Sequence, residues 1–327
     1  MAAPPIRDEL LPVLGAVELL SPNAFRFAGA APVQANPLAA AIQSTLYVQC
    51  YCHRLGTPMP VTPPPDPTLV ERLAAANRAR DRWDPGWQVY QAGADGRIFV
   101  LKGDRQRAAV PGEYVTDAYL GTPPSVGAMV TLRVPREGRA VQPGFHHMFG
   151  EVPGDLWDES FLVRFYFHCT PQHVADMVAG LTQQLNRAQV PYRMKALADA
   201  THYTRSDAMV LYIARRYLRI VAWLVEALPP ALLATLRDAV PLFTRRLRPG
   251  IGLAEDPGNG ESFGMQRCRL LAEAMLNAWR LGQIEPEARL RAAKARFAAD
   301  GLSLDAPWLA PGSVDVFEAG LPEGAAA

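Results

Sequence analysis

The sequence has few cysteines and no long uninterrupted apolar run. Four cysteines in 327 residues are too few for a disulfide scaffold, and Cys50 and Cys52 have no second close pair to complete a zinc site. No segment reaches membrane-spanning length without charges, and no basic stretch followed by an apolar run opens the chain. We therefore expect a cytoplasmic protein without structural metal or disulfides.

The sequence also lacks an excess of either charge. Its 33 basic and 32 acidic residues give a formal net charge of +1 at pH 7. No overall field would hold the protein on nucleic acid or an anionic membrane, so any anion must be bound by local charge. Only Lys102, Lys195 and Lys294 are lysines; the other basic residues are arginines. Because lysine can lose its proton and act as a base, a lysine within a strand-like segment supports a functional hypothesis.

The apolar pattern changes along the chain. Helical spacing dominates residues 1–83, a period near two marks a β-rich segment at 84–143, and strands and helices mix over 144–300. The tail at 301–327 is rich in Ala, Pro and Gly and is expected to be partly ordered. Since the strands are not regularly separated by helices, we predict an α+β fold: a mixed or antiparallel sheet with helices packed on it, and a helical N-terminal region.

Two strand-like segments each place polar side chains on one face. Alternation along the first segment puts Arg164, Tyr166 and His168 on the same face. Alternation along the second puts Arg193 and Lys195 together. If the two strands are neighbours, a basic and aromatic patch forms across them. Such a patch suits a phosphate dianion, because guanidinium groups bind its oxygens through paired hydrogen bonds.

Further candidates for phosphate binding follow along the chain. Arg205 enters the next strand, which also carries Tyr212, and Arg245 lies at the end of the strand after that. Arg267 lies at the start of a long helix, behind a glycine-rich loop. Backbone N–H groups at residues 258–260 and at the start of that helix can add to a phosphate cradle.

This patch has the parts that a phosphate elimination needs. Neighbouring cations lower the pKa of Lys195, which favours a neutral amine that can act as general base. His168 or Tyr166 can protonate the leaving oxygen, and the arginines can stabilise the phosphate charge. The alternative interpretations are a structural histidine at a strand end and a solvated lysine, and a single arginine is more often a surface charge.

Several segments resemble a known family. VRFYFHCTP, VPYRMKAL, RSDAMVLYI and RPGIGLAEDPGNGESFGMQRCRLLAEA resemble the HopA-type effector domain, over roughly residues 144–281. A weaker similarity surrounds LYVQCYCHRLG. Related stand-alone proteins occur beside small kinases in pathways for class V lanthipeptides and thioamitides. There the kinase phosphorylates serine or threonine, and the HopA-like partner eliminates the phosphate.

The resemblance implies roles for individual residues. The domain is distantly similar to effector phosphothreonine lyases, which use a lysine base, a histidine acid and arginines on the phosphate. By position, Lys195 matches the base. The family's two polar residues separated by one fall either on Arg164 and Tyr166 or on Tyr166 and His168, and we favour the second pair because it supplies a histidine. The remaining matches are two phosphate arginines and an aromatic residue: Arg205, Arg267 and Tyr212.

The resemblance therefore implies a phosphoserine/phosphothreonine lyase that converts a phosphorylated ribosomal precursor peptide to dehydroalanine or dehydrobutyrine. Such an enzyme needs no metal and no organic cofactor. The chain has no kinase signature, so a separate Ser/Thr kinase is the expected partner, with no nucleic acid and no membrane involved. The alternative is a non-catalytic effector or a scaffold that presents a peptide to another enzyme.

Overall fold

The computed structural model describes residues 6–117 and 122–317. Its N-terminal part contains both helices and a small sheet. The elements are α1 (Ile6–Ala16), β1 (Val17–Ser21), β2 (Ala24–Phe27), β3 (Val33–Gln34), α2 (Leu38–Leu46), a π-helical turn (Tyr47–Tyr51) and α3 (Leu69–Ala76). The three-stranded sheet β1–β2–β3 was not expected within a helical region. It forms because Val17 and Leu19 are buried at alternate positions, which is the strand period.

The next part is a five-stranded antiparallel sheet. Its strands are β4 (Arg82–Ala92), β5 (Ile98–Lys102), β6 (Arg105–Ala109), β7 (Tyr114–Thr116) and β8 (Met129–Val134). They lie in the order β6-β5-β4-β8-β7. This sheet has a small hydrophobic core of its own, which includes Trp87, Val100 and Leu132.

The remaining chain builds a seven-stranded sheet and the helices that cover it. The elements are β9 (Glu137–Gly138), β10 (Phe145–Phe149), α4 (Leu156–Ser160), β11 (Leu162–Phe167), α5 (Val174–Arg187), β12 (Tyr192–Leu197), β13 (Met209–Ala214), α6 (Leu218–Glu226), α7 (Pro230–Leu233), β14 (Arg245–Arg248), β15 (Ile251–Glu255), α8 (Phe263–Arg280) and α9 (Pro286–Ala299). Short 3-10 turns span Ala200–His202 and Arg215–Tyr217. The strand order is β14-β15-β11-β13-β12-β10-β9, with antiparallel neighbours. The predicted α+β class, with an antiparallel sheet and a helical N-terminal region, is confirmed.

The central strand β11 faces two different environments. Val163, Phe165 and Phe167 pack into the core that contains α3, α5 and α6. Burying each phenylalanine contributes roughly 1.5–3 kcal/mol to folding. Arg164 and Tyr166 alternate with them, and Tyr166 joins a second core that contains α2, the π-helical turn and α8. Helices therefore cover both faces of the sheet, and the polar residues of β11 lie under the second layer.

The C-terminal segment packs against the domain as far as it is described. Leu302, Leu304 and Phe317 are buried. Residues 318–327, which complete the tail that we expected to be partly ordered, lie outside the described residues. The division at residues 83, 143 and 300 into separate units stays a prediction. Within residues 6–117 and 122–317, no helix combines the length and apolar character needed to cross a bilayer.

Candidate active site

The register of three adjacent strands brings the predicted polar residues together. β13 lies between β11 and β12. Arg164 of β11 is the cross-strand partner of Tyr212, and Tyr166 is the partner of Val210. Lys195 of β12 pairs with Val210 from the other side. Because cross-strand partners share a face, these side chains cluster above β13.

A cavity of about 440 Å³ lies over this cluster. It is enclosed by the sheet, the π-helical turn, the loop before β10 and the start of α8. The lining residues are Tyr47, Tyr51, Gln142, Phe145, Arg164, Tyr166, Lys195, Asp207, Val210, Tyr212, Gly260, Glu261, Ser262 and Met265. Four predicted residues of the sheet thus line one cavity: Arg164, Tyr166, Lys195 and Tyr212.

Lys195 is half-buried in this cavity. Its Nζ donates to Gln142 Oε1 at 2.9 Å and lies 4.3 Å from the centroid of the Phe145 ring. Burial lowers the pKa of Lys195 to about 8, and the positive charge of Arg164 acts in the same direction, while Asp207 opposes it. A neutral amine is therefore accessible near neutral pH.

The other two lysines have different surroundings. Lys102 Nζ lies 2.7 Å from the Asp84 carboxylate, and Lys294 Nζ lies 2.9 Å from that of Asp305. A carboxylate thus accepts from each of these lysines, whereas a neutral amide oxygen accepts from Lys195. The surroundings of Lys195 therefore differ from those of the other two lysines.

Arg164 is fixed at the edge of the cavity by a carboxylate. Its Nε and Nη2 lie 2.8 and 2.6 Å from Asp256 Oδ2. Burial alone would lower the pKa of Arg164, but the phenol groups of Tyr166 and Tyr212 and the carboxylate of Asp256 outweigh it and raise this pKa. The Arg164 Cζ lies 5.3 Å from the centroid of the Tyr212 ring. A permanent positive charge is thus held in a defined orientation.

Tyr166 presents a buried hydroxyl group. Its side chain is 3% exposed, and the hydroxyl has no hydrogen-bond partner of normal geometry among the described residues. Its ring packs edge-on against Tyr51, with centroids 6.4 Å apart. Burial raises the pKa of Tyr166, although the charge of Arg164 and the close approach of the Tyr51 and Arg164 side chains to the hydroxyl oppose this effect. The phenol therefore keeps its proton at neutral pH and can donate it.

A second polar cluster ties the π-helical turn to the sheet. Arg205 Nε and Nη2 donate to the two oxygens of Asp207 at 2.8 and 2.7 Å. Arg205 Nη2 also donates to the Tyr47 hydroxyl at 3.0 Å. Asp207 and Tyr47 line the cavity, whereas Arg205 lies behind them. Arg205 therefore lies outside the cavity lining, and its predicted role in phosphate binding stays a prediction.

Sequence reasoning assigned no role to several residues that line the cavity. They are Tyr47, Tyr51, Gln142, Asp207 and Ser262. The similarity noted around LYVQCYCHRLG covers both N-terminal tyrosines and was the available signal for them. A π-helical turn is itself a feature found often at functional sites.

His168 does not line this cavity. It follows the last residue of β11, and its Nδ1 donates to the Ala239 carbonyl at 3.0 Å. It lines a separate small cavity of about 60 Å³ together with His53. Burial lowers the pKa of His168 to about 4. Because strand alternation ends at Phe167, the preference for Tyr166 and His168 as the polar pair is not supported, and Arg164 and Tyr166 are the pair that faces the cavity.

Two further arginines lie away from the cavity lining. Arg193 is exposed, with its Cζ 6.0 Å from the Tyr212 ring centroid. Arg245 begins the edge strand β14, and its Nη1 donates to Asp315 Oδ2 at 2.7 Å. The structure thus gives Arg245 a partner in the C-terminal segment and does not bring it to Lys195.

Arg267 is also placed differently from the sequence prediction. It is fully buried in α8, where its Nε and Nη2 donate to the carbonyls of Pro307 and Leu309, both at 2.8 Å. A further hydrogen bond joins it to Gln266. Burial lowers the pKa of Arg267 to about 10. Its guanidinium anchors the C-terminal segment instead of contacting the cavity.

The sequence was compared with known families and solved structures. The model of the HopA1 effector protein family matches residues 137–309. The chain belongs to this family. The match includes the strands that carry Arg164, Tyr166 and Lys195, and it excludes the π-helical turn. Among curated proteins, none matches the chain.

Two solved structures of effector proteins are similar to this chain at low identity. One is described as the effector protein from Pseudomonas syringae pv. tomato strain DC3000, with 21% identity and a TM-score of 0.39 over 51% of this chain. The chain spans 62% of that protein's length. The other is the effector protein from Pseudomonas syringae pv. syringae strain 61, with 18% identity and a TM-score of 0.44, covering 83% of this chain and 95% of that one.

Proposed function

We propose that this HopA1 family member is a phosphoserine/phosphothreonine lyase that acts on a phosphorylated precursor peptide. The observation that carries the proposal is that Lys195, Arg164 and Tyr166 line one cavity. An amine with a pKa of about 8, a fixed cation and a protonated phenol are a base, an anion-binding group and an acid.

The reaction proceeds by loss of a proton and of phosphate from adjacent carbons. The neutral Nζ of Lys195 takes the α-proton of the phosphorylated residue, and its C–H electrons form the double bond between the α- and β-carbons. The bond from the β-carbon to the phosphate oxygen breaks, and the Tyr166 hydroxyl protonates that oxygen. Lys195 then returns its proton to the Tyr166 phenolate, so the reaction consumes no external acid or base.

Tyr166 replaces His168 as the proposed acid for a geometric reason. A general acid must reach the leaving oxygen directly or through one water. Tyr166 lines the same cavity as Lys195, whereas His168 uses its Nδ1 proton on a backbone carbonyl and lines another cavity. With a pKa of about 4, His168 is also neutral at the working pH.

The direct test incubates the purified protein with the phosphoserine form of a candidate precursor peptide, chosen from the short reading frames near its gene, and follows the mass. A lyase removes phosphoric acid and leaves dehydroalanine, which an added thiol then alkylates. A phosphatase would leave serine, which does not react with the thiol. The variant Lys195→Ala should bind the phosphopeptide and release no phosphate, because the base is missing.

The effector or scaffold alternative makes a different prediction for the same experiment. Such a protein would bind the phosphorylated peptide made by its cognate kinase and would leave the mass of that peptide unchanged.

We further propose that a separate Ser/Thr kinase supplies the phosphopeptide and that both proteins work in the cytoplasm. All four cysteines are free and buried, which suits a reducing compartment. If the phosphopeptide incubated with the protein forms no dehydroalanine, the proposed lyase activity is refuted.

A further inference from the structure

The start of α8 forms one wall of the cavity. Gly260, Glu261 and Ser262 line the cavity immediately before the helix begins at Phe263. Ser262 occupies the N-cap position with an extended backbone, and its side chain makes no capping hydrogen bond. The first helical bond runs from the Gln266 N–H to the Ser262 carbonyl at 2.9 Å. The three N–H groups before it therefore have no acceptor within the helix.

This geometry favours an anion at the start of α8. The 18-residue helix carries a partial positive charge at its N-terminus, where N–H groups bind phosphate in many proteins. A helix terminus alone does not define a binding site, but a second feature points to the same place. The Tyr166 ring lies 6.4 Å from the ring of Phe263, the first residue of α8. Its buried hydroxyl makes no hydrogen bond of normal geometry with a described residue, so its hydrogen-bonding capacity is unused unless a group bound in the cavity reaches it.

The carboxylates near this wall are already paired with cations. Glu261 accepts hydrogen bonds from Nε and Nη2 of Arg269, both at 3.1 Å. Asp256 accepts from Arg164 at 2.8 Å. The first residue of the loop 256–262 thus accepts from Arg164, and its last residue, Ser262, lines the cavity. Because these charges are compensated, they do not exclude an anion from the cavity.

We propose that the Ser262 hydroxyl and the N–H groups at the start of α8 form, together with Arg164, the phosphate-binding subsite of this cavity. This inference rests on the proposed lyase function and names the groups that hold the phosphate. Arg205, Arg245 and Arg267 do not line this cavity, whereas Arg164 does, so the subsite does not include these three arginines.

The test fills the subsite with a carboxylate from the protein itself. Aspartate is as good an N-cap residue as serine, so Ser262→Asp should preserve α8 while its carboxylate accepts bonds from the same N–H groups. Ser262→Asn caps the helix without a charge. Ser303→Asp adds an equal charge at an exposed position outside the cavity lining. Binding of inorganic phosphate to each full-length protein is measured by calorimetry, with the thermal midpoint as a folding control.

We expect phosphate to bind at least about tenfold more weakly to Ser262→Asp, with an unchanged or raised thermal midpoint. Ser262→Asn should bind phosphate more weakly than the unaltered protein and more tightly than Ser262→Asp, because its amide oxygen accepts from the same N–H groups without adding a negative charge. Ser303→Asp should match the unaltered protein. The subsite is wrong if the unaltered protein binds no phosphate, if Ser262→Asp binds it equally well, or if Ser303→Asp loses the same affinity.

The two proposals fail in different ways. If phosphate binding depends on residue 262 but the protein eliminates no phosphate from the phosphopeptide, the lyase proposal is wrong and the subsite proposal stands. If elimination proceeds but Ser262→Asp leaves phosphate binding unchanged, the subsite proposal is wrong and the lyase proposal stands.

Discussion

The protonation state of Lys195 gives a quantitative prediction for the pH dependence of catalysis. With a pKa of about 8, roughly one Lys195 side chain in eleven is neutral at pH 7. At the ordinary pKa of 10.5, only about one in 3,000 would be neutral. The cavity therefore increases the amount of usable base at pH 7 by about 300-fold.

The neutral fraction rises about tenfold between pH 7 and pH 9, so kcat/KM should rise by a similar factor and then level off. The phosphopeptide is already a dianion over this range, because its second pKa lies near 6. Tyr166 keeps its proton because its pKa is raised, so no decline should follow below about pH 10. Phosphate release is measured at low substrate concentration in buffers of matched ionic strength.

A matched variant separates the base from a simple positive charge. Lys195→Arg keeps a cation in the cavity but cannot supply a neutral amine, because guanidinium does not lose its proton in this range. It should be inactive at every pH. A flat profile between pH 7 and pH 9, or turnover by Lys195→Arg, would show that another group takes the proton.

Three further predictions test the surrounding residues. Tyr166→Phe should lower the elimination rate by about 100-fold or more while leaving the thermal midpoint unchanged or raised, since the lost hydroxyl is unpartnered; a rate near that of the unaltered protein would exclude Tyr166 as the acid. His168→Asn should change the rate by less than about threefold in the same phosphate-release assay, and a large loss would return His168 to the mechanism. Arg267→Met should reduce the free energy of unfolding in urea by about 2–4 kcal/mol, because two carbonyls lose their donor; unchanged stability with lost phosphate binding would contradict the anchoring role.

The local pattern was sufficient to predict which residues share a face. Arg164, Tyr166 and Lys195 alternate with apolar residues, so the strand period placed them on one side of the sheet before the strand order was known. The sequence contains no equivalent signal for the order of strands. That β13 lies between β11 and β12, with Lys195 opposite Val210, depends on long-range pairing.

The acceptors of the predicted phosphate arginines depend on contacts that the sequence pattern does not reveal. Arg205 donates to Asp207, and Arg267 donates to the carbonyls of Pro307 and Leu309, which lie 40 and 42 residues further along the chain. A guanidinium binds whichever acceptor the fold brings to it, and composition does not reveal that acceptor. His168 was placed by extending the alternation one residue past the end of β11.

The π-helical turn Tyr47–Tyr51 affects how a truncated fragment of the protein should be designed. A fragment bounded by the family match, residues 137–309, would lack Tyr47 and Tyr51 and hence part of the wall around Tyr166. Gly264 fits against Tyr51 so closely that a Cβ there would lie 2.5 Å from its ring. Removing the turn would expose the apolar start of α8 to water, so such a fragment is a poor choice for expression or for testing activity.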